Sequence, residues 1–257
     1  MATVFLRQTR VGSLGDRGCV LGNAESSLPA AGDLAAMVPP DEQLLDLRAR
    51  KFRALSTLFR LDTTAYESAI GTLLIGCPGA GECPVITGSV HQAGIAALDW
   101  VRGGAADVDG LAAEHTRLFG GADMARQMPM VSPCAAMYMT EEYDGQPADV
   151  SAVYHAVGFT PSQEQGMCPS HICNELDFMA YCLEKGSRDA ATVAYAFVMS
   201  HLFAWGVVFS AATYARSTHP VTRFAGMMLE HLLFCELEHA RDRSRYYGML
   251  AEIKAVS

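Results

Sequence analysis

Charge is scarce in this 257-residue chain: Asp, Glu, Lys and Arg make up 18% of it. The few charges present still leave a net charge of −9. That balance disfavours nucleic acid or an anionic membrane as the main partner and favours a basic one. Half the residues are hydrophobic, which excludes broad disorder and provides for a sizeable core. Strand signals are nearly absent, with no run of alternating β-branched residues and no hairpin turn between two such runs. No pair of the eight cysteines is spaced as Cys-x-x-Cys, which argues against a zinc ribbon or a redox dithiol motif. No G-x-S-x-G elbow, Walker loop or G-x-G-x-x-G after a strand is present. The first twenty residues carry Arg7, Arg10, Asp16 and Arg17 without a continuous apolar run, so no secretory signal is expected.

One stretch lacks charge altogether. From Thr192 to Ala215 there is no Asp, Glu, Lys or Arg. As a helix it would run about 35 Å, enough to cross a bilayer. Ser200, His201, Ser210 and Thr213 are polar, and Trp205 sits mid-segment instead of at an interface. A helix buried on all sides by other helices is the expectation, without stable membrane insertion.

What is present reads as helices. Residues 1–38 are rich in Gly, Ala and Ser without lasting periodicity and are expected to form a poorly ordered extension. From Pro39-Pro40 and Asp41 onward, Leu45, Phe52, Leu55 and Phe59 recur at helical spacing. Tyr66 to Ile75 continues, halted by Gly76 and the Cys77–Cys83 loop. Ser89 is expected to cap a helix to Val101, and Asp107 or Asp109 one carrying Leu111, His115, Leu118 and Phe119. Cys134 to Glu142 reads as a short helix. Asp149 caps a helix stopped by Gly158, and another follows from about His171 to Lys185, closed by Gly186. Asp189 opens the apolar helix, and Pro220 begins the last long one. The sum is a single all-α globular domain over residues 39–257, with about nine or ten helices joined by short loops and no internal repeat.

The chemistry candidates are few, and each has a bland counterpart. Ser170 as N-cap would place His171 and Glu175 four apart on one helix face. The glutamate could then fix the imidazole tautomer, both could face a ligand, or the pair could simply steady a helix start. Glu236 and His239 form a Glu-x-x-His unit of the kind four-helix di-iron proteins use, but no second unit accompanies it. A solvated acidic helix face is the plainer reading. A metal-dependent helical enzyme using Glu236, His239, His171 and Glu175 is thus one hypothesis, and a thiol-ligated cluster another. The cysteines otherwise read as buried or loop thiols kept reduced in the cytoplasm. Tyr195, Phe197, Phe203, Trp205 and Phe209 read as core, and His201 as a hydrogen-bonded core histidine.

The stretch from Tyr154 to Met179 is the most telling: Y-H-A-V-G-F, a polar connection, then C-P-S-H-I-C-N-E-L-D-F-M. With Leu118-Phe119-Gly120, Pro133 to Tyr138, and His201-Leu202 plus Trp205, it resembles the TorD/DmsD family of cytoplasmic chaperones for molybdenum-containing reductases. The likeness covers roughly residues 41 to 250, most specifically Pro169 to Met179. Two departures stand out. Ser170 occupies the family's aspartate position, and Ala136 the place of a small serine. The resemblance implies a chaperone without catalysis or cofactor. Its partners would be the twin-arginine signal peptide and the apo form of a molybdoenzyme catalytic subunit, and it could be a monomer or homodimer. The peptide-binding residues implied are Tyr138, Tyr154, Gly158, Phe159, Pro169, Ser170, His171, Glu175 and Trp205. Ser170 cannot offer an arginine a negative charge, so that contact is either weaker or made by another acid, for which Glu164, Glu175 and Asp177 are available.

Overall fold

A computed structural model describes residues 42–75, 84–103, 107–120, 129–139, 150–162 and 167–256. The expected extension over residues 1–38, the Cys77–Cys83 loop, Asp149 and Glu164 lie outside them. The described chain is helical throughout: α1 Glu42–Phe59, α2 Tyr66–Leu74, α3 Pro84–Arg102, α4 Val108–Phe119, α5 Val150–Val157, α6 Ile172–Glu184, α7 Arg188–Phe197, α8 Phe203–Arg216 and α9 Pro220–Val256. A π turn, Val198–Leu202, joins α7 to α8 without a break, so the two form one rod, and the described residues make a bundle of about eight members. Among the described residues there is no strand, only an isolated antiparallel bridge between Cys134 and His171.

Apolar residues at helical spacing dictate the packing. On α1, Leu45, Phe52, Leu55 and Phe59 are all buried, and they turn that helix toward α6, α2 and α9. Helix α9 in turn packs along α8 and α3. Helices α8 and α9 approach closely: a Cβ on Gly226 would stand 2.8 Å from the Tyr214 backbone nitrogen and 3.1 Å from the Ser210 carbonyl oxygen. No side chain fits there. Phe178, Leu176, Trp205, Phe209 and Phe224 complete one continuous core.

Several starts differ from expectation, each for a local reason. Helix α3 begins at Pro84, five residues before Ser89. Proline's fixed φ and missing N–H suit the first helical position, and Ser89 is simply an exposed residue within the helix. The cap of α7 is Ser187, whose hydroxyl accepts from the Ala190 amide, and not Asp189. Of the helix expected from Cys134 to Glu142, the described part is one 3-10 turn, Ala135–Met137. Asp107 does cap α4, accepting from the Gly110 amide at 2.7 Å.

The uncharged rod is not buried on all sides. Phe197, Val198, Leu202, Trp205, Phe209 and Thr213 face inward, whereas Met199, Ala204 and Val208 are exposed. Ala190–Arg216 is long and apolar enough to cross a membrane by length and composition. Its buried face, however, belongs to the same core as α9 and α6.

One carboxylate ties the far end of the bundle together. Glu114 of α4 accepts from the Thr218 and His219 amides at 2.8 Å each, and from the Thr218 hydroxyl and Arg117. Burial alone would raise its pKa, but these donors outweigh burial and hold it below the usual carboxylate range. They fix the chain just ahead of α9.

Candidate functional site

The turn between α5 and α6 is held from several directions. Gly158 ends α5 at φ +76°, a left-handed conformation that glycine adopts without steric cost. The carbonyls at the end of α5 are then taken up by Tyr181 of α6 and by Lys185 just past its end: Tyr181 Oη donates to the Gly158 oxygen at 2.9 Å, and Lys185 Nζ to the Val157 oxygen at 2.8 Å. Phe159 packs its ring against Tyr154, Phe178 and Tyr181 at centroid distances of 4.9, 5.4 and 5.3 Å. Asn174, fully buried on α6, clamps the two ends of the loop. Its Oδ1 accepts from the Ser162 amide at 3.0 Å, and its Nδ2 donates to the carbonyls of Ser162 (3.1 Å) and Cys168 (3.0 Å). Tyr154 Oη reaches the Pro169 carbonyl at 3.1 Å.

A strap of residues 129–139 closes against this turn. The Ala135 amide donates to the Ser170 carbonyl at 3.0 Å, and the Ile172 amide to the Pro133 carbonyl at 2.8 Å. Tyr138 stacks on Trp205 at 5.6 Å with 28° between the rings. Cys134 Sγ lies 2.7 Å from Cys168 Sγ. The thiol facing Cys168 is Cys134, brought near by the bridge, while Cys173 is fully buried.

The cap of α6 is His171 and not Ser170. His171 Nδ1 accepts from the Cys173 amide at 3.2 Å. Because that nitrogen accepts, the ring proton of the neutral form resides on Nε2. Burial pushes the His171 pKa down to about 4, helped by Arg60 and His115 nearby. The imidazole is therefore neutral at neutral pH and offers an N–H donor. It can meet a carbonyl or carboxylate but gives a guanidinium no acceptor.

Glu175 does not pair with His171. It points inward, fully buried, accepting from Trp205 Nε1 at 3.0 Å and sharing a hydrogen bond of 2.8 Å with His201 Nε2. Burial pushes its pKa up to about 7, while the bonds to His201 and Trp205 pull the other way. Asp177 is likewise occupied by Arg60, with Arg53 at 3.9 Å.

The nine residues singled out thus fall into three groups. Gly158 and Pro169 are exposed, and Tyr138, Phe159, Ser170 and His171 are half-buried. Tyr154, Glu175 and Trp205 are buried and form the wall behind the turn. Asn174, Tyr181, Lys185 and Cys134 did not stand out in the sequence. For Asn174 a signal existed: a lone amide at a mostly apolar helix start. For the others the partner lies across the fold.

Within the Glu-x-x-His unit, Glu236 departs from the reading of a solvated acidic face. Glu236 is no solvated residue: it is buried and held by Arg48, whose Nε donates at 2.8 Å and whose Nη2 also contacts the carboxylate. The side chain of His239 lies outside the described residues. Among the described residues no group of three or more His, Cys, Asp and Glu could hold a metal ion, so the metal-dependent hypothesis gains no support here.

A family model described as the nitrate reductase delta subunit matches residues 90–211. That span, a little under half of the chain, includes the strap, the turn, α6 and Trp205. Over it this chain is similar to that family, and the match supports a general role as a chaperone in the maturation of redox enzymes. A search of the curated proteins finds no match.

Proposed function

We propose that this chain is a cytoplasmic, non-catalytic chaperone. It would bind the twin-arginine leader of a molybdopterin-containing oxidoreductase subunit and hold the apo-subunit until its cofactor is loaded. The observation that carries this reading is the family match over residues 90–211, within which the pinned turn and strap lie together. Gly158, Phe159, Pro169, Ser170, His171 and Tyr138 form the rim that meets the peptide. Tyr154, Glu175 and Trp205 hold that rim in place from beneath. Met130 and Met137, both about half exposed on the strap, add flexible apolar surface suited to a leader's hydrophobic stretch.

The division of labour follows from the chemistry. Neutral His171 donates to a peptide carbonyl. With Glu175 and Asp177 already paired, attraction of the arginines rests on the overall negative charge, which acts on encounter more than on the bound geometry. Ordering an extended leader costs about 2–5 kcal/mol, so a complex near micromolar, about −8 kcal/mol, is the natural outcome. Such a complex releases its client readily.

Purification of the tagged, intact protein from its native host tests this reading. An oxidoreductase subunit that still carries its leader is expected to travel with it. Capture of that subunit regardless of whether its leader is present would contradict the proposal, as would the absence of any such subunit.

A further inference from the structure

We propose that Cys134 and Cys168 form a thiol–disulfide exchange site, at which a small-molecule disulfide such as glutathione disulfide oxidises the pair to a bridge between strap and turn. The inference stands apart from what the turn binds. The two sulfurs lie 2.7 Å apart, close to the disulfide bond length of about 2.05 Å. They are separated by 34 residues in sequence and are brought together by paired backbone. The Cys134–His171 bridge, the bond from the Ala135 amide to Ser170 and the bond from the Ile172 amide to Pro133 hold the two segments in register. Closure therefore asks little of the chain.

The pair is also set apart from the other described thiols. Cys173, Cys182 and Cys235 are buried, whereas Cys134 and Cys168 are only half-buried. The hydrogen bond from Cys134 draws the Cys168 pKa down to about 6 against the opposing effect of burial, and Ser170, with its Oγ 3.6 Å away, adds to it. The same bond, together with burial, pushes Cys134 up. Cys168 is thus the attacking thiolate and Cys134 the resolving thiol.

The exchange balances in two displacements. Cys168 thiolate attacks one sulfur of glutathione disulfide, forming a mixed disulfide and expelling one glutathione thiolate. That thiolate takes up the proton Cys168 had released. Cys134 then loses its proton and attacks the Cys168 sulfur, forming the intramolecular bond and expelling the second glutathione. The protein dithiol is oxidised, and one glutathione disulfide is reduced to two thiols. Excess glutathione reverses both steps.

The intact protein is equilibrated in buffers of graded reduced and oxidised glutathione, quenched by alkylation and digested for mass spectrometry. The expected product is a peptide joining Cys134 to Cys168, lost again on reduction. Cys134→Ser should stop at Cys168 carrying one glutathione. In Cys168→Ser, modification of Cys134 should be at least ~10-fold slower. Both serine variants should keep the helical circular dichroism of the parent. Cys134 and Cys168 remaining alkylatable in fully oxidised buffer, or linked to other cysteines, would overturn the site. Equal rates in the two variants would overturn the assigned order of attack.

Discussion

Glu175 is the residue on which the site's interior depends. Burial raises its folded pKa to about 7 from an ordinary value of 4.5. Between those values the folded state keeps the proton while the unfolded chain releases it. This group's contribution to stability therefore falls as pH rises through that window. Protonated, the carboxyl donates to His201 and accepts from Trp205, so glutamine can make similar contacts. Urea unfolding of Glu175→Gln at pH 5 and pH 7 should show the variant gaining stability relative to the parent as pH rises. A constant difference between the two proteins would refute the burial argument. This arrangement was only partly readable. That His201 is a hydrogen-bonded core histidine agrees with its position. Its partner is 26 residues earlier, and i,i+4 spacing pointed instead to His171. The expectation that Ser170 caps α6 failed because a histidine with an accepting Nδ1 can do the same work one residue later.

At the scale of elements, the α5–α6 turn is rigid because side chains on α6 hold it. Asn174 makes three hydrogen bonds to that loop from a fully buried position. Asn174→Ala leaves buried amide and carbonyl groups without partners, each costing about 1–3 kcal/mol. A loss of roughly 2–4 kcal/mol is expected on that basis, measurable as a lower urea midpoint. Faster hydrogen exchange should follow at the Ser162 amide and at the His171 amide, whose acceptor is the Cys168 carbonyl. An unchanged midpoint would mean the clamp contributes nothing. Helix ends were the most legible feature of the sequence. Gly158, Gly186 and Pro220 stop or start helices because φ > 0 and a missing N–H leave few alternatives. Helix α3 starts ahead of its expected cap because a proline at the first helical position is a less conspicuous signal than a serine cap. The strap holds one 3-10 turn where the sequence predicts a longer helix. Its backbone bonds to the α5–α6 turn go to the Ser170 carbonyl and the Ile172 amide, and such non-local pairing leaves no periodic trace in the sequence.

At the scale of the whole molecule, the all-α class followed from the missing strand signals and the recurring apolar spacing. Partnerships between distant helices did not. The Arg48–Glu236 pair joins α1 to α9 across 188 residues of sequence, with side chains only 10% and 6% exposed. Breaking one partner of such a pair strands a buried charge. Arg48→Met should destabilise by about 3 kcal/mol. The double variant Arg48→Met, Glu236→Leu should recover most of that loss by chemical denaturation. A single variant as stable as the parent would show that the pair does not hold α9 in place.

In the proposed function the turn and strap form one rim for a basic leader, and a net charge of −9 favours a basic partner. Isothermal calorimetry of the intact, reduced protein with a synthetic twin-arginine leader tests that claim most directly. The expected results are a dissociation constant of ~1 µM, at least ~10-fold weaker binding when both arginines become alanine, and a weaker complex for His171→Ala with its helical circular dichroism unchanged. Absence of binding up to roughly 100 µM, an affinity that does not notice the arginine pair, or a His171→Ala variant that binds as the parent does would contradict it.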